Sequence, residues 1–433
     1  MKYKHLFALL ATLPAFAAHS ATTDVSSMAT KIEPKVIEWR HHFHQNPELS
    51  NREFKTAEYI AKFLRDLGLE VQTGIARTGV VGILDSGNPG PVVALRADMD
   101  GLPVLETSDL QWKSTARGEF NGKDVPVSHA CGHDTHMAML MGAASILTEM
   151  RTELKGKVKF IFQPAEEGAP EGETGGAEVM VKEGVLKNPN VDVIFGLHIN
   201  ARTDVGKVKY RHGGIMAAVD PFKVVIKGKQ AHGAYPWLSV DPIVTSAQVV
   251  MGLQTLVSRE LELTDNAAVV TIGSIHGGVR SNIIPNEVEL VGTIRTLNDK
   301  AREHIYQSLP RKVNAIAESM GASAEVTLPL DYSYPVTYNE PSLMDEMLPS
   351  IERTAGKKNV INTNAITGAE DFSFFQKEVP GLYLFVGGKS PDTPMEQAPA
   401  HHTPEFYVDD SGMKLGVELL TNLTMDYMDK HGK

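Results

Sequence analysis

Cysteine is almost absent from this chain: Cys131 is the only one in 433 residues. One cysteine cannot close a disulfide within its own chain, so no disulfide framework holds the fold. Basic charge is short as well, with 42 Lys and Arg against 53 Asp and Glu, a formal net charge of -11. That balance argues against nucleic acid or an anionic membrane as partner, since both need a basic face. Past residue 18 no apolar run is long enough to cross a bilayer, and the chain shows neither internal repeats nor a low-complexity linker. The remainder, 42% hydrophobic and 22% charged, is ordinary globular composition. Its length predicts two domains rather than one core.

Residues 1–23 stand apart. Lys2 and Lys4 precede a nearly unbroken apolar run from Leu6 to Ala18, and Ala18-His-Ser20 or Ala15-Phe-Ala17 offers a small-residue cleavage site. This predicts a signal peptide, export to the periplasm or the medium, and no membrane span after cleavage. Exported proteins normally use cysteines in pairs, which makes the lone one informative. Cys131 sits in His129-Ala-Cys-Gly-His-Asp-Thr-His136, and a soft thiolate beside imidazoles is a transition-metal ligand set.

Short β-rich runs at Val80–Leu84, Val92–Ala97, Lys157–Phe162, Val191–Leu197 and Leu382–Val386 alternate with helical stretches at Phe54–Leu67, Met137–Met150 and Met413–Met428. Alternation of this kind predicts an α/β domain with a mostly parallel sheet. Ligands of such sheets bind beyond the carboxyl ends of strands, and here the strands lead into Asp98-Met-Asp100, Glu166-Glu167 and His198. Residues 215–330 have another rhythm. Strand Pro221–Gly228, helix Asp241–Leu261, strands Ala267–Ile275 and Glu287–Thr296, helix Asp299–Met320 and strand Ala322–Leu328 give the β-α-β-β-α-β order of a ferredoxin-like unit. The expected division is therefore a catalytic domain of 24–214 and 331–433 with a satellite domain, 215–330, inserted in it.

Cys131 and His133 are separated by one glycine, which permits a tight turn and lets both side chains reach one pair of ions. His129 and His136 are weaker candidates, one of which could begin the next helix. In Gln163-Pro-Ala-Glu-Glu167, two adjacent carboxylates after a strand point in different directions, so one can bind metal while the other acts as general base. Asp98 and Asp100 read as ligands, as groups that orient ligands, or as strand-end caps. His198 alone reads equally as a core histidine, and the pair His401-His402 before Pro404 is ambiguous by itself.

Together these segments resemble the co-catalytic metallopeptidase family of aminoacylases and carboxypeptidases. Within it the chain is similar to the amidohydrolase subfamily of hippurate hydrolases, indole-acetyl-amino-acid hydrolases and other N-acyl-amino-acid amidohydrolases. The likeness runs from Trp39 to the C-terminus. It includes His42-Phe-His-Gln-Asn-Pro-Glu48, Ala94–Pro103, His129–His136, Gln163–Glu167, Gly196–His198, Asp241-Pro242, Asn282–Pro285, Gly368–Phe372 and His401–Pro404.

The resemblance implies a dinuclear site held by Cys131, His133, Glu167, His198 and His402, with Cys131 at or near the bridging position and Glu166 as general base. His402 is preferred to His401 because the family's ligand stands two residues before the proline. His232 would reach a neighbouring active site across a homodimer formed by the satellite domain, and Asn282 and Arg295 would lie near the substrate carboxylate. An ordinary ion pair remains the other reading of Arg295. Asp98 and Asp100 would orient the ligands. The implied cofactors are two divalent ions, Zn2+ first because a thiolate is soft, with Mn2+, Co2+ or Ni2+ open. The implied activity is cleavage of the amide bond of an N-acyl amino acid, the alternative being a dipeptidase or carboxypeptidase. Two positions depart from the subfamily pattern: Trp237 replaces the histidine usual after Tyr235-Pro236, and Gln230-Ala231 replaces a glycine pair.

Overall fold

Strands Lys157–Gln163, Val92–Asp98, Val193–Asp204 and Gly381–Lys389 lie side by side and mutually parallel at the centre of an eight-stranded sheet. The computed structural model describes residues 24–264 and 267–432, so the expected signal peptide lies outside the described residues. Strands Glu70–Ile75 and Gly79–Asp85 extend one edge, and Val208–Tyr210 and Val360–Asn362 the other, with the antiparallel pairings confined to these flanks. The α/β class with a mostly parallel sheet is thus present as the sequence predicts. Val92–Asp98 and Gly381–Lys389 are buried at every residue, as strands covered on both faces must be.

One face is covered by helices Val25–Gln45, His133–Glu149 and Met413–His431, which pack on one another through Val36, Met139, Leu419 and their neighbours. Short helices Gly176–Lys182 and Ser373–Glu378 cover the other face over Ala94, Ile161 and Ile194. Two boundaries differ from expectation in ways that matter for the site. The expected helix Met137–Met150 starts at His133, because Gly132 adopts φ +99° and turns the chain straight into it. A side chain at Gly132 would also meet Ile199 Cγ2 at 2.4 Å. The expected strand Val191–Leu197 runs on to Asp204, because Ile199 and Asn200 pair with Val386 and Gly387. His198 therefore projects from mid-strand rather than from a strand end.

The second unit folds as the ferredoxin-like order requires. Strands Ala268–His276, Glu287–Thr296, Ala218–Lys227 and Ser323–Thr327 make an antiparallel sheet in that spatial order. Helices Pro242–Glu260 and Asp299–Ser319 close its core over Phe222, Val224, Leu290 and Ile294. Each helix starts at a side-chain cap: Asp241 accepts from the amides of Ile243 and Val244, and Asn298 from that of Ala301. Among the described residues no helix is long and apolar enough to cross a membrane.

Candidate metal centre

The parallel sheet and the helix starting at His133 bring five donor side chains to one place. Cys131, His133 and His198 have ligand atoms within 4.8 Å of one another, and so do Cys131, Glu167 and His402. Cys131 belongs to both groups: its Sγ lies 3.4 Å from His198 Nε2 and 3.3 Å from His402 Nε2. Two metal-sized clusters sharing one sulfur is the arrangement a pair of bridged ions requires.

Two of the three imidazoles are aimed by their other nitrogen, as metal-binding histidines usually are. His133 Nδ1 donates to the carbonyl of Asp100 at 2.9 Å, and His198 Nδ1 faces the carbonyl of Ile199 at 2.5 Å. His133 Nε2 and Glu167 Oε1 are then left buried with no hydrogen-bond partner. His402 Nε2 lies 3.0 Å from Glu167 Oε1, within ion-pair distance. His402 itself adopts φ +64°, a left-handed conformation that costs a residue with a Cβ roughly 1–2 kcal/mol.

The electrostatics ask for cations. Burial opposes protonation of His133, yet the charges of Asp98, Asp100 and Glu167 push it up to about 10. Burial, then the charges of Glu167 and Glu166, pushes the Cys131 thiol well above its ordinary value. Glu166 is driven well above the carboxylate range by burial and by Glu370 and Glu167. His198 is held neutral by burial and by the nearby His136 and His401. Positive charge placed among these groups would ionise the thiol and replace the proton on His133. With bare ligand atoms already facing inward, the set fits two divalent ions.

Glu166 lies beside this centre, its Oε2 3.8 Å from His133 Nε2. Glu166 and Glu167 reach different neighbours, Glu370 and Asp371 for the first, Cys131 and His402 for the second. Each also brings one oxygen near His133 Nε2, at 3.8 and 3.9 Å, and Ala165 at φ +51° bends the loop ahead of them. Asp98 and Asp100 sit behind the donors. Asp98 pairs with Arg96 at 2.6 Å and His136 Nδ1 at 2.6 Å, while Asp100 accepts from the amides of Glu166 and Glu167 at 3.1 and 3.0 Å. His136 spends its other nitrogen accepting from Ile199 N–H at 2.8 Å, and His401 is tied to Cys131 O and Ala201 N–H. Neither has a nitrogen left for a metal. His129 is buried with both ring nitrogens unpartnered and is pushed by burial down to about 4; it belongs to no donor group.

Three further candidates lie on the satellite unit. His232 is exposed in the short strand Ala231–His232, accepts from Ala234 N–H, and joins no donor group. Asn282 is exposed next to it, its carbonyl accepting from Gly233 N–H at 2.8 Å. Arg295 is half-buried in strand Glu287–Thr296, opposite Val219 and Val269, and forms no ion pair among the described residues.

Several site residues escape sequence reading. Arg96, fully buried, binds Gln163 and reaches Glu370 and Asp371 at 2.8 and 3.0 Å. Tyr383 donates to Glu370 at 2.5 Å, and Tyr334 donates to the carbonyl of Glu166 at 3.1 Å. The segments Ala94–Pro103 and Gly368–Phe372 carry Arg96, Glu370 and Asp371 without indicating their roles, and nothing in the sequence marks Tyr334 or Tyr383.

Comparison with known proteins agrees with this geometry. The model of peptidase family M20/M25/M40 matches residues 94–426. Thermostable carboxypeptidase 2 of Saccharolobus solfataricus is 39% identical over 401 residues, which is 92% of this chain and 97% of that protein. An N-acetyl-L-cysteine deacetylase of Bacillus subtilis is 35% identical over 385 residues, 88% of this chain and 85% of that protein. Among solved structures, a dinuclear metal-binding M20 peptidase from Bacillus subtilis matches with a TM-score of 0.76 at 30% identity, covering 92% of this chain and 99% of the other.

Proposed function

The chain belongs to peptidase family M20/M25/M40, a family of amide-bond hydrolases, and from that premise we propose that it releases amino acids from their N-acyl derivatives. Cys131, His133, Glu167, His198 and His402 would hold two divalent ions, zinc first because the shared donor is a soft sulfur. When bound, these ions supply Lewis acidity that polarises the amide carbonyl and makes water acidic enough to attack near neutral pH. The observation that carries this reading is the sharing of Cys131 between two donor groups with Glu166 directly beside them.

Glu166 takes a proton from the attacking water and returns it to the departing amide nitrogen. His232 of a second copy donates to the oxyanion, a contribution of a few kcal/mol when such a donor is well placed. Asn282 and Arg295 receive the substrate carboxylate. The satellite unit carries exposed apolar side chains, Trp237, Ile275 and Val279 among them, which supports pairing through that unit into a homodimer. The apolar segment at residues 6–18 supports export.

The similarity to a carboxypeptidase keeps a second substrate class in view. Both are tested by offering the full-length mature protein a panel of N-acyl amino acids and dipeptides. Free amino acid from the acylated substrates supports the proposal. Cleavage confined to dipeptides would transfer the enzyme to the peptidase reading.

A further inference from the structure

The loop that presents Glu166 and Glu167 is held from beneath by two buried carboxylates. Three successive amides point at them: Ala165 N–H donates to Glu53 Oε1 at 2.9 Å, Glu166 N–H to Asp100 Oδ1 at 3.1 Å, and Glu167 N–H to Asp100 Oδ2 at 3.0 Å. The two bonds to Asp100 are charge-assisted when its carboxylate is ionised, the stronger kind. Ala165 needs holding, because at φ +51° it occupies a conformation that a residue with a Cβ rarely adopts. That same conformation turns Glu166 and Glu167 toward the donor cluster.

Glu53 enters from outside the metal-binding segments. It lies in the turn between helices Val25–Gln45 and Phe54–Asp66, is fully buried, and contacts neither Glu166 nor any of the five donor side chains through a hydrogen bond. Its second oxygen is fixed by Thr78 Oγ1 at 2.6 Å. As the N-cap of helix Phe54–Asp66 it makes no side-chain cap bond, so its carboxyl is committed to the catalytic loop. Asp100 is less separable, since it also touches His133 Nδ1 at 3.3 Å.

We infer that Glu53 is a positioning residue for amide hydrolysis: by gripping Ala165 N–H it fixes the loop conformation that aims Glu166 at the substrate. The inference rests on Glu166 being the general base. It concerns reach rather than charge. Burial and the Asp100 charge push Glu53 up to about 8, so a neutral side chain of the same length can replace it. In Glu53→Gln the amide oxygen can still accept from Ala165 N–H while the NH2 group meets Thr78. In Glu53→Asp the carboxyl is one methylene short of the loop.

The test compares both variants with wild type in the full-length, zinc-loaded protein, reading kcat, KM and bound zinc with the N-acyl amino acid turned over fastest. Glu53→Asp should lose roughly tenfold or more in kcat, with KM and zinc content kept, because small misplacements of a catalytic group are costly, while Glu53→Gln should stay within about threefold of wild type. The inference is overturned if Glu53→Asp keeps wild-type kcat, if Glu53→Gln falls as far as Glu53→Asp, or if zinc is lost together with kcat. Glu166→Gln, run alongside, separates the two failures. If it keeps turnover, the assignment of the general base is wrong; if it loses turnover while Glu53→Asp does not, only the role of Glu53 is wrong. Should the Glu53 variants not fold, Thr78→Val removes the bond that orients Glu53. A loss of kcat with zinc retained then supports the inference, and unchanged kcat overturns it.

Discussion

Replacing Arg96 by methionine should destabilise the protein more than any change at a surface ion pair. The Arg96 side chain is wholly buried and pairs with Asp98, Glu370 and Asp371 at 2.6, 2.8 and 3.0 Å, with Gln163 at 2.8 Å on its remaining side. Methionine fills a similar volume but supplies no donor. Breaking a buried pair by removing one partner typically costs about 3–5 kcal/mol, because the other charge is left uncompensated. Here Asp98 keeps His136 Nδ1 at 2.6 Å while Glu370 and Asp371 lose their counter-charge, so the estimate stays at about 3–5 kcal/mol. With a urea m-value of about 3 kcal/mol/M for a unit of this size, the unfolding midpoint should fall by roughly 1–2 M. The deficit should deepen as pH rises, since the stranded carboxylates are costly only when ionised. Arg96→Lys, which keeps the charge but not the planar fork, should lose roughly half as much. The assay is urea unfolding followed by circular dichroism at two pH values. A midpoint shift under about 0.3 M for Arg96→Met would refute the argument that this arginine neutralises the acids behind the site.

Further predictions concern the ligands, the pH range and the satellite unit. His402→Ala should bind less zinc and lose activity, whereas His401→Ala, which removes only bonds to Cys131 O and Ala201 N–H, should keep its zinc while losing some stability; equal zinc loss in both variants would undo the choice of His402. His44 lies between Asp134 at 2.9 Å and Glu106 at 3.1 Å, and although burial opposes it, these acids push it up to about 9. A histidine pKa raised on folding stabilises fully below its unfolded value near 6.5, so a contribution of a few kcal/mol should fade as pH climbs from about 6.5 through 9. Urea midpoints across that window should fall for wild type and much less for His44→Gln, and parallel curves would contradict the pairing. His232→Ala should lose mainly turnover with zinc content intact; unchanged turnover would exclude its role at a neighbouring site.

The parts of this protein that can be read from sequence are those whose residue types state their own chemistry. Glu166 and Glu167 follow the strand Lys157–Gln163, Cys131 and His133 lie at the start of the buried helix His133–Glu149, and the central strands are evident from their β-rich apolar stretches, Val92–Leu95 and Phe160–Phe162. Positions that depend on long-range partners are not evident. Arg96 is in plain view in Leu95–Asp100, yet its partners Glu370 and Asp371 are 274 and 275 residues away. Glu53 meets Ala165 across 112 residues, and an acidic residue between two helices looks like a cap. The approach of both Glu166 and Glu167 to His133 goes with the left-handed Ala165, a conformation that alanine does not announce. Helix Val25–Gln45 is obscured by Pro34 and by a buried face made partly of Arg40 and His44.

The claim at the centre of this account is that Cys131 joins two cations into one hydrolytic site. Its most direct test is to strip the protein with a chelator and titrate zinc back while following both bound metal and hydrolysis of an N-acyl amino acid. The account predicts that the stripped protein is inactive and that activity reaches its plateau at two zinc ions per chain in wild type, with neither site filled tightly in Cys131→Ser. Full hydrolysis by metal-free protein, or two tightly held ions in the serine variant, would contradict it.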